Sequence, residues 1–205
     1  MKMKTISIVD YGAGNLKSVQ NAFGFLGMRT ELISGARGIR KAEMLVFPGV
    51  GNFGEAMKRL RRKGIDSAIK QFIASGKPFL GICLGMQLLF EESEESAGVK
   101  GMGVFKGKVK RFPRGIVKVP QVGWNRLSAK GNSRLLNGAG GEMVYFINSY
   151  FAEPEDIGVV SAVSEYGGAF CSAVEEGDVF AVQFHPEKSG EAGLQILRNF
   201  AEMKP

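Results

Sequence analysis

The sequence predicts an α/β fold: a doubly wound, mostly parallel sheet with an antiparallel β extension, in one domain over residues 1–205. Three observations carry that expectation. Short apolar runs alternate with amphipathic stretches through the first half of the chain, the rhythm of strands crossing over through helices. Glycine-containing turns follow several of those runs, where such sheets place their ligands. From Gly101 onward the texture changes to short β-rich pieces separated by turn residues, with no linker dividing the halves.

Thr5-Ile6-Ser7-Ile8-Val9 is the first predicted strand, ending at Asp10. Tyr11-Gly12-Ala13-Gly14-Asn15 is a turn, with Asn15 the expected N-cap of a helix through Leu26. This glycine pair lacks the third glycine of a dinucleotide fingerprint. Thr30–Ile33 and Met44–Phe47 are further strands, the latter broken by Pro48-Gly49-Val50-Gly51. Glu55 to Ala74 is basic and amphipathic, and Gly64 divides it into two helices. Phe79–Ile82 is a buried strand, and Leu84 and Leu88 begin a helical spacing after it. The β-rich pieces are Val104–Val109, Val117–Val122, Met143–Ile147, Gly158–Val163, Ala169–Val174 and Val179–Phe184. Asn137-Gly138, Gly140-Gly141 and Gly167-Gly168 mark turns among them. A final helix runs from Gly190 to Met203, with Leu194, Leu197 and Phe200 on its apolar face.

Composition narrows the class. The apolar and charged fractions, 44% and 23%, are those of an ordinary globular protein. No apolar run approaches the ~18 residues of a membrane span. Met1-Lys2-Met3-Lys4 leads toward a strand without the apolar region and cleavage site of a signal peptide. Cys83 and Cys171 are too few for a disulfide framework and too far apart for a metal knuckle. A cytoplasmic chain with reduced thiols, no metal and no cofactor is expected. The net charge is +7. The densest basic clusters, Lys58 to Lys63 and Lys106 to Arg111, lack the interleaved aromatics of a nucleic-acid binder. They read as solvated faces or as contacts to an acidic partner.

The chemistry concentrates at Gly81-Ile82-Cys83-Leu84-Gly85, where a strand turns into a helix with a thiol at the corner. That is the pattern of a nucleophile elbow, whose strained centre tolerates little bulk around it. Cys83 is the candidate nucleophile, facing a helix N-terminus that favours thiolate. The same thiol reads equally, on this motif alone, as a small buried hydrophobe. His185 is the chain's one histidine, so histidine-dependent chemistry must use it and multi-histidine metal sites are excluded. In Gln183-Phe184-His185-Pro186-Glu187, residues two apart on an extended segment point the same way, and Pro186 steers His185 away from helix. Glu187 then accepts the Nδ1–H of His185 and leaves Nε2 for the Cys83 proton, the logic of a catalytic triad. A lone histidine at a strand end is ordinarily structural; the nearby carboxylate and the elbow cysteine favour catalysis. Acyl transfer also needs oxyanion donors: the Leu84 N–H, and a backbone N–H at Gly49–Val50. Pro48 to Gly51 reads alternatively as no more than a tight turn.

Gly81-Ile82-Cys83-Leu84-Gly85-Met86-Gln87 with His185-Pro186-Glu187 resembles the class I (triad) glutamine amidotransferases, whose sheet is flavodoxin-like. Asp10 to Asn15, Pro48 to Gly54, Val119 to Asn125, Tyr145 to Tyr150 and His185 to Ser189 narrow the resemblance. It is to the glutaminase subunits that serve a (β/α)8-barrel cyclase in imidazole glycerol phosphate synthesis, within histidine biosynthesis. The resemblance covers the chain from first strand to last helix. It implies that Cys83 attacks the side-chain amide of glutamine, that a glutamyl thioester forms, and that ammonia passes by a tunnel to the cyclase, the heterodimer partner. It implies that Gly49, Gly51, Gln87, Ser149 and Tyr150 hold glutamine, and that Asn15, Trp124 and Lys188 lie at or near the partner. Gln121 and Asn148 stand where the family often has histidine; both replacements hydrogen bond. Competing expectations are a glutaminase serving another synthase, a non-catalytic regulatory paralogue and a stand-alone cysteine hydrolase. Trp124 and Lys188-Ser189 argue against the first, the intact triad against the second, and the lack of an added lid segment against the third.

Overall fold

The computed structural model describes residues 5–204, and the leader reading at residues 1–4 lies outside the described residues. The first half lays down β1 (Thr5–Val9), α1 (Leu16–Phe25), β2 (Arg29–Ile33), α2 (Ala36–Lys41) and β3 (Met44–Gly49). It continues with α3 (Phe53–Arg62), α4 (Ile65–Ala74), β4 (Phe79–Cys83) and the single-turn α5 (Leu84–Gln87). The second half adds β5 (Glu92–Ser93), β6 (Gly107–Arg111), β7 (Gln121–Arg126), β8 (Ser128–Ala129), β9 (Met143–Asn148) and β10 (Tyr150–Pro154). β11 (Val160–Glu165), β12 (Ala169–Glu176), β13 (Val179–Val182) and α6 (Gly190–Glu202) complete it.

The fold is α/β with a mostly parallel core. β2, β1, β3, β4 and β13 lie side by side in parallel, and β12, β10 and β6 continue the sheet antiparallel to their neighbours. β1, β3, β4 and β13 are buried on both faces because their side chains alternate between two apolar layers, whereas β2, at the edge of the sheet, is mostly exposed. Val9, Leu45, Phe47 and Phe79 pack with Met57, Leu60, Ile69 and Phe72 of α3 and α4. Ile6, Ile8, Val46, Leu80 and Ile82 pack with Val19 and Phe23 of α1 and Ile196 and Phe200 of α6. Registry then sets the site: Gly49 pairs with Cys83 across β3 and β4, and Val182 pairs with Ile82 across β13 and β4. Three strand ends meet at one edge.

Several elements differ from the sequence reading. α2 is an added helix, placed by one buried side chain, Ile39. Asn15 occupies the N-cap of α1 but its side chain caps nothing, whereas Asn52 caps α3, its Oδ1 accepting from the Glu55 N–H at 3.1 Å. The helix after Cys83 stops at one turn, because the carbonyls of Leu88 and Leu89 accept from the N–H groups of Met102, Val104 and Phe105 instead of from a further turn. The strand expected at Val104 begins at Gly107, that at Val117 begins at Gln121, and that at Gly158 begins at Val160 after a short 3-10 turn. Pro120, with no N–H to give to a ladder, precedes β7. β13 ends at Val182 rather than Phe184, and β10 is an extra strand. β7 and β9 pair as a separate two-stranded ribbon, not within the main sheet.

Candidate active site

Cys83 sits at φ 55° and ψ −112°, and among the described residues it is the one non-glycine with positive φ. The corner is this tight because three glycines let backbones touch. A Cβ on Gly85 would fall 1.9 Å from the Phe47 carbonyl oxygen, and one on Gly81 would fall 3.0 Å from the Gly85 oxygen. A Cβ on Gly49 would meet the Tyr11 hydroxyl at 2.7 Å and the Gly85 nitrogen at 3.0 Å. Gly49 is therefore glycine for want of space as much as for freedom. Gly51, at φ 102° with open space around it, is the conformationally demanding one.

His185 and Glu187 arrive from β13 through a short 3-10 turn. His185 Nδ1 lies 2.8 Å from Glu187 Oε1, and both side chains are almost fully buried, 3% and 1% exposed. The backbone of His185 is fixed from the ribbon: its N–H donates to the Tyr145 carbonyl at 2.9 Å. Ser189 closes the loop, donating from Oγ to the His185 carbonyl at 2.7 Å and accepting from the Tyr145 N–H at 3.0 Å. Burial pulls the imidazole pKa down, but interactions with the Cys83 sulfur and the Glu187 carboxylate outweigh it and push it up to about 10. Nε2 makes no hydrogen bond in this geometry. The interaction with the Cys83 side chain is the largest influence that raises the imidazole pKa.

A cavity of about 270 Å³ opens over the thiol, lined by Val50, Gly51, Cys83, Leu84, Gln87, Ser149, Tyr150 and His185, among others. That is near the lower end of small-ligand sites, roughly 300 Å³ and up, and suits an amino acid better than a nucleotide. Of the residues expected at the site, Gly49 and Glu187 stand behind this lining. Asn15, Trp124 and Lys188 are outside it. Leu84, as the first residue of α5, has an N–H with no acceptor inside the helix. Gln87 spends its amide hydrogens on the Tyr150 carbonyl at 3.0 Å and Gln183 Oε1 at 2.9 Å. Gln121 and Asn148 are paired across the ribbon and buried, with Gln121 Oε1 and Asn148 Oδ1 unpartnered.

The sequence reading missed Glu95, which also lines the cavity. Its Oε2 accepts the Phe53 N–H at 2.7 Å, while Ser96 Oγ accepts that of Gly54 at 3.0 Å. The loop after β5 is thus clamped onto the start of α3, with a carboxylate turned to the pocket. Nothing in the local pattern of an acidic loop signals this.

The family model described as glutamine amidotransferase class-I matches residues 7–203. The chain is 49% identical over 198 residues to the imidazole glycerol phosphate synthase subunit HisH of Methanothermobacter thermautotrophicus, covering 97% of this chain and 98% of that protein. It is 46% identical over 202 residues to the chloroplastic imidazole glycerol phosphate synthase hisHF of Arabidopsis thaliana, covering 97% of this chain and 34% of that longer one. Among solved structures, a chain in the structure of PurLQS from Thermotoga maritima superposes with a TM-score of 0.77 at 20% identity, over 97% of each chain, a likeness of fold.

Proposed function

The chain belongs to the class-I glutamine amidotransferase family, and from that premise we infer that it is the glutaminase subunit of an imidazole glycerol phosphate synthase. It releases ammonia from glutamine for histidine biosynthesis. The single observation that carries the site assignment is the elbow cysteine at positive φ facing, at one sheet edge, a buried histidine–glutamate pair.

In this reading the Cys83 thiolate attacks the side-chain carboxamide carbon of glutamine, and the oxyanion that forms is met by the N–H groups of Leu84 and Val50. His185 delivers a proton to the departing nitrogen, leaving a glutamyl thioester and ammonia. It then takes a proton from water, which attacks the thioester and frees glutamate and the thiolate. Glu187 orients the imidazole and stabilises its cation. Gln87 Oε1 and the Glu95 carboxylate accept from the nitrogens of glutamine, while Gly51 and the backbone at Ser149 and Tyr150 shape its path. Turnover is gated by the Gly49–Val50 peptide, which aims the Val50 N–H into the oxyanion site when the partner and its ligand are bound.

The partner is a (β/α)8-barrel cyclase in a heterodimer, and the enzyme is cytoplasmic, one glutaminase domain over residues 1–205. Among the described residues no helix is long and apolar enough to cross a membrane. The outer face of the β7–β9 ribbon supports a docking role: Val122, Trp124, Met143 and Ile147 are exposed there. Lys188 lies over the Tyr145 ring at 5.8 Å, and Trp124 meets that ring edge-on at 6.0 Å. Since the Tyr145 backbone holds His185 and Ser189, two of the expected contact residues, Trp124 and Lys188, connect to the triad through Tyr145.

The test compares wild type with Cys83→Ala, free and with the cyclase subunit and its ligand. Cys83→Ala should lose glutamine hydrolysis yet form a complex that still runs on added ammonia. Substantial turnover by Cys83→Ala would overturn the assignment. Equal wild-type turnover free, in complex and in complex with ligand would remove the gating while leaving the triad.

A further inference from the structure

Gln183 lies at the end of β13, completely buried, and the triad does not use it. Its Nε2 donates to Cys83 Sγ at 3.7 Å, and its Oε1 accepts from Gln87 Nε2 at 2.9 Å. The orientation of the Gln183 amide follows from a backbone group. The Tyr150 carbonyl can only accept, so Gln87 must present Nε2 to it, at 3.0 Å. The same Nε2 then faces Gln183, which must present its oxygen, and that leaves the Gln183 N–H nothing to face but sulfur. Turning either amide over would set donor against donor or acceptor against acceptor in a buried place.

We propose that Gln183 is a further catalytic residue of this site, whose amide N–H holds the Cys83 thiolate and aims it at the substrate carbon. The proposal rests on the glutaminase reading. A buried anion needs donors, and the sulfur sits between two groups of different kinds. His185 moves protons and so cannot be a permanent donor. Gln183 is neutral, cannot titrate and is locked from behind, so its bond to sulfur persists at every stage in which sulfur carries charge. When sulfur is acylated the bond loses its charge assistance, and it regains it as glutamate leaves. Asn148 Nδ2 donates to the same Tyr150 carbonyl at 3.0 Å, which ties this donor chain to the ribbon.

The experiment uses the complex with the cyclase subunit and compares wild type, Gln183→Met, Gln183→Glu and Cys83→Ala. Glutamine turnover is measured together with the pH dependence of Cys83 alkylation by iodoacetamide, followed on the Cys83 peptide so that Cys171 does not contribute. Gln183→Met should lower kcat roughly tenfold or more, the effect of losing a hydrogen bond to a charged group, with KM little changed, and should move the alkylation midpoint to higher pH. Gln183→Glu, which keeps the shape and the acceptor for Gln87, should move the midpoint the same way and carries the test if the methionine variant does not fold. A midpoint equal to wild type in the folded variants overturns the proposal even where kcat falls, because a merely structural role would lower turnover while leaving the sulfur's titration unchanged. Turnover surviving in Cys83→Ala would instead strike the glutaminase reading itself.

Discussion

His185 is the chain's one histidine, so a labelled imidazole reports on the candidate triad without assignment. Its pKa reflects opposed forces: burial, the largest single influence, lowers it, and the Cys83 sulfur and Glu187 carboxylate together raise it to about 10. At neutral pH the resting ring is then a cation, ready to give its proton to the departing nitrogen. An NMR titration should show a midpoint far above the ordinary ~6.5, and Glu187→Gln should lower it by removing one of the two raising charges. The same variant should lose less turnover than His185→Ala, which removes the proton path and costs on the order of 10²–10⁴ in rate. A midpoint near the ordinary value in wild type would count against a charged pair. Cys83, His185 and Glu187 were legible because each stands inside a short local pattern whose geometry follows from a strand end. Glu95 was not, since its place depends on a loop returning to residues 42 positions away. Gln183 was equally silent: its side-chain partners, Cys83 and Gln87, stand 100 and 96 positions away.

Strands were easier to read than the connections between them. A continuous apolar run survives wherever a strand is packed between two apolar layers, as in β3 and β4. α2 left little trace because Gly38 interrupts it and it buries only Ile39. Leu84 and Leu88 fit helical spacing, yet the chain after α5 turns into a buried loop whose carbonyls are claimed by residues 102–105. No local pattern distinguishes those outcomes. The same closeness makes the elbow sensitive to a single methyl group. Gly85→Ala would thrust Cβ to 1.9 Å from the Phe47 oxygen, so β4–α5 must move off β3. The expected loss is about 3 kcal/mol or more, with glutamine turnover abolished. Gly51→Ala has open space but sets a side chain at a φ of 102°, so it should melt below wild type yet above Gly85→Ala. Equal melting of both variants in thermal scans would mean that β3 does not brace the elbow.

For the whole molecule, two separate apolar layers flank the sheet, and the exposed ribbon face offers an outward contact beside the His185 arm of the site. A partner pressing there touches Tyr145, and through its backbone the loop that carries His185. The antiparallel half thus works as a mount for the second arm of the site, which the sequence reading treated as mere extension of the sheet because strand pairing between distant pieces is not written in either piece alone. Cys83 also bears on how the molecule as a whole resists heat. A side chain at φ 55° in a non-helical well holds the native state in a conformation that costs of order 1–3 kcal/mol. In the proposed reading, this strain at the centre of an otherwise well-packed protein is what presents the thiol to its substrate. Replacement by glycine should expose the trade: Cys83→Gly, inactive, should melt above Cys83→Ala, equally inactive, by a few degrees. Matched melting curves for the two would show that the neighbours, not the corner residue, bear the tension. A more stable glycine form would show that the corner conformation, which presents the thiol in the proposed reading, is held at a cost to the native state.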